Sequence, residues 1–410
     1  MTLQTALSGL LGAQTGLNTV SNDLANADTT AFKSQTALFQ DIYPANAGDV
    51  PGIGTATEGI SADLTQGDLT ATGNPLDAAI QGNGYFVIGD NGTQQYTRDG
   101  AFQIDATTGQ LVNATGGQVL GYPAAANGSP GSTLAPITIN TGAVPANATS
   151  NIGLTLNLNS GDAIIPASTV FNPADSTTYD ESTSVVTYDS LGNANRVQLY
   201  FVQNPAATAG AVPGWTVYAQ PQAASGGDIG TPQTLTTLNF TSSGSLSAGS
   251  PATLNVNWGN GAAASAVNFD LTGTTLGAQS FSIAGNPTND GYAPGNYSGT
   301  SIAANGEVQS SYSNGQVVSA GTLGLASFLN QEGLVPVSGN MFATSQSSGQ
   351  PVVNTPGNGL AGRLSSGNLE ASNAATSSLL VSLIQYQQAY QANTSVIQTE
   401  QQDSQRLVQI

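Results

Sequence analysis

The sequence predicts a mainly β protein with an α-helix at each end, the two helices paired as a coiled coil and nested antiparallel β domains between them. Two observations carry the helices. Near the N-terminus, Leu3, Leu7, Leu10, Leu17 and Leu24 recur at steps of three, four or their sum. Near the C-terminus, Leu379, Leu383, Tyr386, Tyr390 and Ile397 repeat that spacing, and Leu407 follows ten residues, or seven plus three, further on. Such steps keep one stripe of a helix facing a partner. A third observation carries the β domains. Between the ends, short runs rich in Val, Leu, Tyr and Phe alternate with Gly, Asn, Asp and Ser turns every eight to twelve residues, the pattern of meandering strands. A chain that is helical only at its extremities brings them together, and the middle is then a nested insertion.

Composition narrows the function class. At 410 residues the chain is long enough for two or three domains with real cores. Charged residues are only 7%, far below the roughly 25% of an average soluble domain. Five bases against 24 acids give a net charge of −19, which disfavours nucleic acid and anionic membranes as partners. Fifty glycines and 19 prolines fall short of the roughly 25–30% that marks a low-complexity chain, and fit many tight turns. The absence of Cys and His removes disulfides, N/S zinc sites, cysteine nucleophiles and Ser-His-Asp triads. No run approaches the ~18 apolar residues of a spanning helix. The N-terminus also lacks the basic and apolar regions of a cleaved signal peptide, so secretion would need another route.

The elements follow in order. The helix expected over 1–27 contains Gly9, Gly12 and Gly16, each costing about 1 kcal/mol relative to Ala. Such a helix is marginal alone and folds when its stripe finds a partner. In SNDLANADTTAFK (21–33), Asn22 and Asn26 are turn and cap residues that favour leaving the helix. Phe32 is an apolar anchor, and Lys33 reads as a solvated loop lysine. Residues 28–70 read as an extended or irregular linker segment with room for a short hairpin. Residues 71–148 form the first part of an inner β domain, including Tyr85–Ile88 between Gly-rich turns and a linker-like stretch from 123. Residues 149–287 read as an outer β domain inserted into the inner one, with strands at 185–188, 197–202, 215–218, 238–240 and 254–258. The inner domain resumes over 288–362, where 323–329 reads as a buried strand. The C-terminal helix occupies 363–410.

No catalytic, cofactor or metal site emerges. Asp180 and Glu181 are adjacent, and neighbours on a strand face opposite ways, so they read as solvated turn acids. The acidic loops 90–99 and 99–105 lack the spaced oxygen ligands of an EF-hand. The glycines never form a strand–GxGxxG–helix unit. The sequence offers no enzyme.

Several motifs then point to a family. SNDLANADTTAFK (21–33) resembles the N-terminal motif of the rod and hook axial proteins of the bacterial flagellum. GDLTATGNPLDAAIQGNGYFVI (67–88) and YTRDGAFQIDATTGQLVNATGGQVLGY (96–122) resemble the β motifs that follow it. YDSLGNANRVQLYFV (188–202) is similar to a strand pair in the outer insertion of hook-type members, and DGYAPGNYSGTSIAANGEVQSSYSNGQ (290–316) to their return into the inner domain. SGNLEASNAATSSLLVSLIQYQQAYQANTSVIQT (366–399) resembles the C-terminal helix motif. Ala374-Ala375 and Gln388 depart from the more charged residues common there, which puts in doubt any salt bridge carried over to that helix.

The resemblance implies a tubular, flexible extracellular polymer that joins rod to filament, transmits torque and encloses an export channel. The stripe residues of both helices would serve self-assembly, lining the inner tube, and Asn22, Asn26, Phe32 and Lys33 would be the family motif. Implied partners are further copies of the chain, the distal rod protein, the hook cap protein, the hook–filament junction protein and the flagellar type III export apparatus, with no cofactor and no membrane insertion. Length and the 149–287 insertion favour a hook-type over a distal rod-type member. A secreted β-rich adhesin is the reading from another class, and it would not need matched amphipathic ends.

Overall fold

The computed structural model describes residues 2–43, 52–90, 92–125, 128–206 and 211–408. It divides into two compact units: Met1–Thr141 with Gly299–Ser311 and Val317–Ile410, and Gly142–Ser298 with Tyr312–Gln316.

The first unit carries both helices, α1 (Thr2–Ala25) and α2 (Thr376–Val408), of about 36 and 50 Å at 1.5 Å per residue. The segment expected to be a linker after α1 is more ordered than that. Gln35–Ile42 and Gly54–Ala62 form an antiparallel ribbon with a bulge at Leu38/Phe39; residues 44–51, also within that expectation, lie outside the described ones. The unit's β body is built around Tyr85–Asp90, which pairs antiparallel with Thr93–Thr97 and Gln118–Pro123. Gln118–Pro123 pairs in turn with Val317–Leu323, so the returning chain completes the sheet the first pass began. Tyr85, Phe86, Val87 and Ile88 are wholly buried, as their apolar run requires. Two short pairings tie the base of the unit together: Leu69–Ala71 with Asn368–Glu370, and Ala78–Gln81 with Arg363–Ser366.

Three expectations are corrected here. The C-terminal helix begins at Thr376 rather than at 363, because Arg363–Ser366 and Asn368–Glu370 are taken up as strands by those pairings. The stretch from 123 is not simply a linker, because Ala135–Pro136 pairs with the strand before it and Ile137 and Ile139 are buried. The buried strand expected over 323–329 is also shorter. Leu325–Ser327 is a separate strand after Gly324, where a Cβ would stand 2.9 Å from Leu134 Cδ1. Beyond Phe328 the chain leaves the sheet, and Leu329 is 98% exposed.

The second unit is a β sandwich. Glu181–Tyr188, Ala194–Gln203, Trp215–Gln222 and Gln233–Phe240 make an antiparallel meander. Ala252–Val256, Ser265–Asp270 and Asn151–Gly153 make a second sheet. Alternate residues of both sheets, among them Val197, Leu199, Phe201, Trp215, Leu254 and Phe269, share one core. Asn151–Gly153 lies parallel to Ser265–Asp270, and Leu156–Asn159 parallel to Thr275–Gly277. The expectation of purely antiparallel domains misses these. They arise because the chain returns after the whole meander, a connection long enough to bring a strand back in the same direction.

Candidate assembly surface

The helices pair through small residues. A Cβ added at Gly9 would stand 2.9 Å from the Asn393 amide, and one at Gly16 would overlap the Tyr386 ring. Seven residues forward on α1 match seven back on α2, so the helices run antiparallel and in step. Ala6, Ala13 and Val20 are buried on α1, and small side chains let helix axes approach closely. Gly12 serves a different neighbour, with Phe39 Cε1 of the ribbon 3.4 Å from its missing Cβ. The Thr55 N–H donates to Ser8 Oγ at 3.2 Å.

This changes the reading of the stripes. On α2, Leu379, Leu383, Tyr386 and Ile397 are partly buried, and Tyr390 is more open. Leu407 lies within the helix range, but its side chain is outside the described residues. On α1, Leu10, Leu17 and Leu24 are half-buried, whereas Leu3 and Leu7 are 48% and 49% exposed. Leu11 continues their i, i+4 ridge and is equally open. On α2, Leu380, Val381 and Ile384 are half-exposed too, close to where α1 ends in the antiparallel register. The pair therefore carries two open apolar patches towards opposite ends. Gln385, Gln387, Gln388, Gln391 and Gln398 are all exposed.

The motif after α1 closes that helix. Asn26 donates its backbone N–H and side-chain amide to the Asn22 carbonyl at 3.1 and 2.9 Å. Thr29 Oγ1 donates to Asn26 Oδ1 at 3.2 Å. Asp23 is buried, and its two oxygens accept the Gln35 N–H at 3.1 and 2.9 Å. Burial pushes its carboxyl up, and that hydrogen bond opposes the shift. Ala31 sits at φ 56°, a left-handed conformation that alanine rarely takes. It is held there by its N–H, which donates to the Glu370 carbonyl at 2.8 Å. Phe32 is buried, as an anchor should be.

Lys33 is not a solvated loop lysine. It is 5% exposed, and its Nζ donates to Glu370 Oε1 at 2.5 Å and to the Thr65 carbonyl at 2.6 Å. The Gly67 N–H donates to the same carboxylate oxygen at 3.0 Å, and Arg98 Nη1 lies 3.4 Å from Oε2. Two of the chain's five bases thus converge on one wholly buried carboxylate. Arg98 also stands over the Tyr85 ring, 5.2 Å from its centroid, and its buried Nε has no hydrogen-bond partner among the described residues. Burial lowers the Lys33 pKa most, Glu370 raises it, and Arg98 lowers it further. Beside this cluster, Asn373 accepts the Ser34 N–H at 2.7 Å and donates to the Asp63 carbonyl at 2.8 Å. Sequence reasoning found Lys33 but missed Asp23, Arg98, Glu370 and Asn373. The available signal was scarcity: in a chain so poor in bases, a cation inside a motif is seldom idle.

Elsewhere, Asp180 and Glu181 are half-buried rather than solvated; Asp180 accepts the Gln203 N–H at 2.7 Å, and burial raises both groups. Among the described residues, no group of three or more acids is placed to hold a metal ion. Asn91, in the acidic loop 90–99, lies outside them. No described helix is long and apolar enough to cross a membrane.

Four family profiles match in order along the chain: flagella basal body rod protein over 3–33, the flagellar hook protein FlgE/F/G D1 domain over 79–153, the flagellar basal body protein FlaE D2 domain over 157–292, and the flagellar basal body rod FlgEFG protein C-terminal region over 365–410. The chain is 36% identical to the flagellar hook protein FlgE of Salmonella typhimurium, over all of both chains. It is equally similar to that of Escherichia coli K12, again over the full length of each. Among solved structures, the Helicobacter pylori flagellar hook protein FlgE2 shares the fold with a TM-score of 0.55 at 15% identity, covering 72% of this chain and 98% of that one.

Proposed function

Since the chain belongs to the flagellar hook protein family and is a structural subunit of the hook, we propose that its copies assemble through the terminal helices into a flexible tube that transmits torque from rod to filament. The observation that carries this reading is the pair of open apolar patches on the helix pair, Leu3–Leu7–Leu11 and Leu380–Val381–Ile384. Apolar ridges of that kind mark interaction surfaces. Because they lie towards opposite ends, the contact is heterologous, and heterologous contacts that do not close give open helical polymers.

In this reading the helices form the inner tube as a coiled coil and the β domains are what that tube carries. The exposed, nearly uncharged glutamine face of α2 lines an export channel. The subunit leaves the cell through the flagellar type III apparatus without signal cleavage. It contacts the distal rod protein, the hook cap protein during growth, and the hook–filament junction protein.

The helices also fold conditionally. Three glycines weaken α1, and its leucine ridge lacks cover within one chain, so full helicity comes with assembly. Circular dichroism of the monomer and of the polymer tests this. The helical signal should rise on polymerisation, and a monomer already at its full helical signal would sink the idea.

A further inference from the structure

We propose that Glu370 is the coupling residue between the helix pair and the β body of its own unit, with Lys33 and Arg98 as the positioning cations on its two sides. The inference rests on the reading of the chain as a hook subunit.

Glu370 divides its carboxylate between two parts of the unit. Oε1 takes Lys33 Nζ and the Gly67 N–H, and Oε2 faces Arg98 Nη1. Lys33 follows the end of α1 by eight residues, and Glu370 precedes the start of α2 by six. Both helices are therefore rooted at this carboxylate. Arg98 belongs to the β body, directly after the strand Thr93–Thr97. The backbone runs the same way: Ala31 donates to the Glu370 carbonyl, and Ala371 donates to the Asp68 carbonyl, each at 2.8 Å.

Stability alone is a weak reason for such a cluster. Two buried cations share one carboxylate, and replacing buried ion clusters by apolar residues of similar volume is often neutral or stabilising. What the charges add is direction. Hydrogen bonds weaken steeply away from their preferred angles, whereas apolar contact is non-directional and lets surfaces slide. Both cations are themselves fixed, Lys33 by the Thr65 carbonyl and Arg98 over the Tyr85 ring. A torque-bearing subunit needs its helices not to slip at their root, and this cluster occupies that root.

The full-length chain carrying Glu370→Gln tests the coupling by amide hydrogen exchange. Exchange at the Ala31 and Gly67 amides should rise about a hundredfold, while the Val87 and Val119 amides of the β body keep their protection. A rise spread evenly over all four amides overturns the proposal. The triple variant K33M/R98M/E370M removes charge without leaving an unpaired ion. It should regain the parental unfolding midpoint, yet its tubes should have a shorter persistence length in electron micrographs. Tubes of parental stiffness from a stable triple variant overturn the proposal as well. If the parent chain forms no tubes, the hook reading fails, and the exchange arm on the monomer still decides whether Glu370 couples the two parts.

Discussion

Gly16 of α1 lies directly beneath the ring of Tyr386 of α2, and no side chain larger than hydrogen fits between them. A residue that weakens an isolated helix is thus what lets two helices pair. Gly9 plays the same part against Asn393 one heptad earlier, whereas Gly12 faces the ribbon with ordinary contact distance to spare.

The glycines are therefore not equivalent under substitution. Gly16→Ala should destabilise the helix pair by about 1–3 kcal/mol through overpacking, despite its better helix propensity. Gly12→Ala should be neutral or gain up to about 1 kcal/mol. Urea titration of the assembled protein, followed at the helical dichroism band, separates them, and equal effects would contradict the assigned packing.

The proposed assembly role of Leu7 and Leu11 predicts a split between monomer stability and polymerisation. Changing both to Gln should move monomer stability by no more than about 0.5 kcal/mol per site. The same change should raise the concentration needed for polymerisation sharply, as read by sedimentation. A variant that polymerises normally would remove the leucine ridge from the interface.

Lys33 gives a pH signature with a definite sign. Its pKa is lowered in the folded chain by burial above all, so the unfolded state binds more protons and stability rises with pH. The rise spans the window from the lowered value up to the ordinary 10.5. Lys33→Met should abolish that alkaline rise, which paired unfolding curves at several pH values would reveal.

Asp189 in the second unit has the same sign at the acid end of the scale. Burial raises it, but donors from Asn193, Asn260 and Asn195 outweigh burial and hold it at about 2. Its stabilisation, at most about 2 kcal/mol, is present above the ordinary 3.8 and is lost as pH falls through about 2. Asp189→Asn should flatten the acid limb of unfolding for that unit, followed by Trp215 fluorescence.

The glutamine face of α2 tests the channel. Replacing Gln387, Gln391 and Gln398, all exposed, by Leu should slow filament growth while hooks still form, because sliding chains would meet apolar wall instead of a nearly uncharged one. Unchanged growth rates would count against a lumen position for this face.

How far the sequence spoke can be judged from particular residues. Helix periodicity located α1 and α2, because the spacing of Leu7, Leu10 and Leu17 is a local property of the chain. It does not show that Gly9 and Gly16 are places of close approach, because from spacing alone a glycine in a helix reads only as a cost. Whether a small residue is a defect or a close approach depends on what stands opposite, and Tyr386 is 370 positions away. Lys33 failed as a solvated residue for the same reason, its partner Glu370 being brought near only by the pairing of Leu69–Ala71 with Asn368–Glu370. The strands at 197–202 and 215–218 were legible because apolar, β-branched and aromatic runs stand between turn residues there. The parallel pairings were not, because strand direction follows from connectivity across more than a hundred residues. Leu329 shows the converse limit: an apolar run does not say where a strand stops.

The account stands or falls on whether the chain makes tubes through its ends. Electron microscopy of the purified full-length protein after salting-out, beside the same protein lacking 376–410, is the direct measurement. The account predicts hollow tubes from the full chain and none from the chain without α2. Dispersed particles from both, or tubes from both, would contradict it.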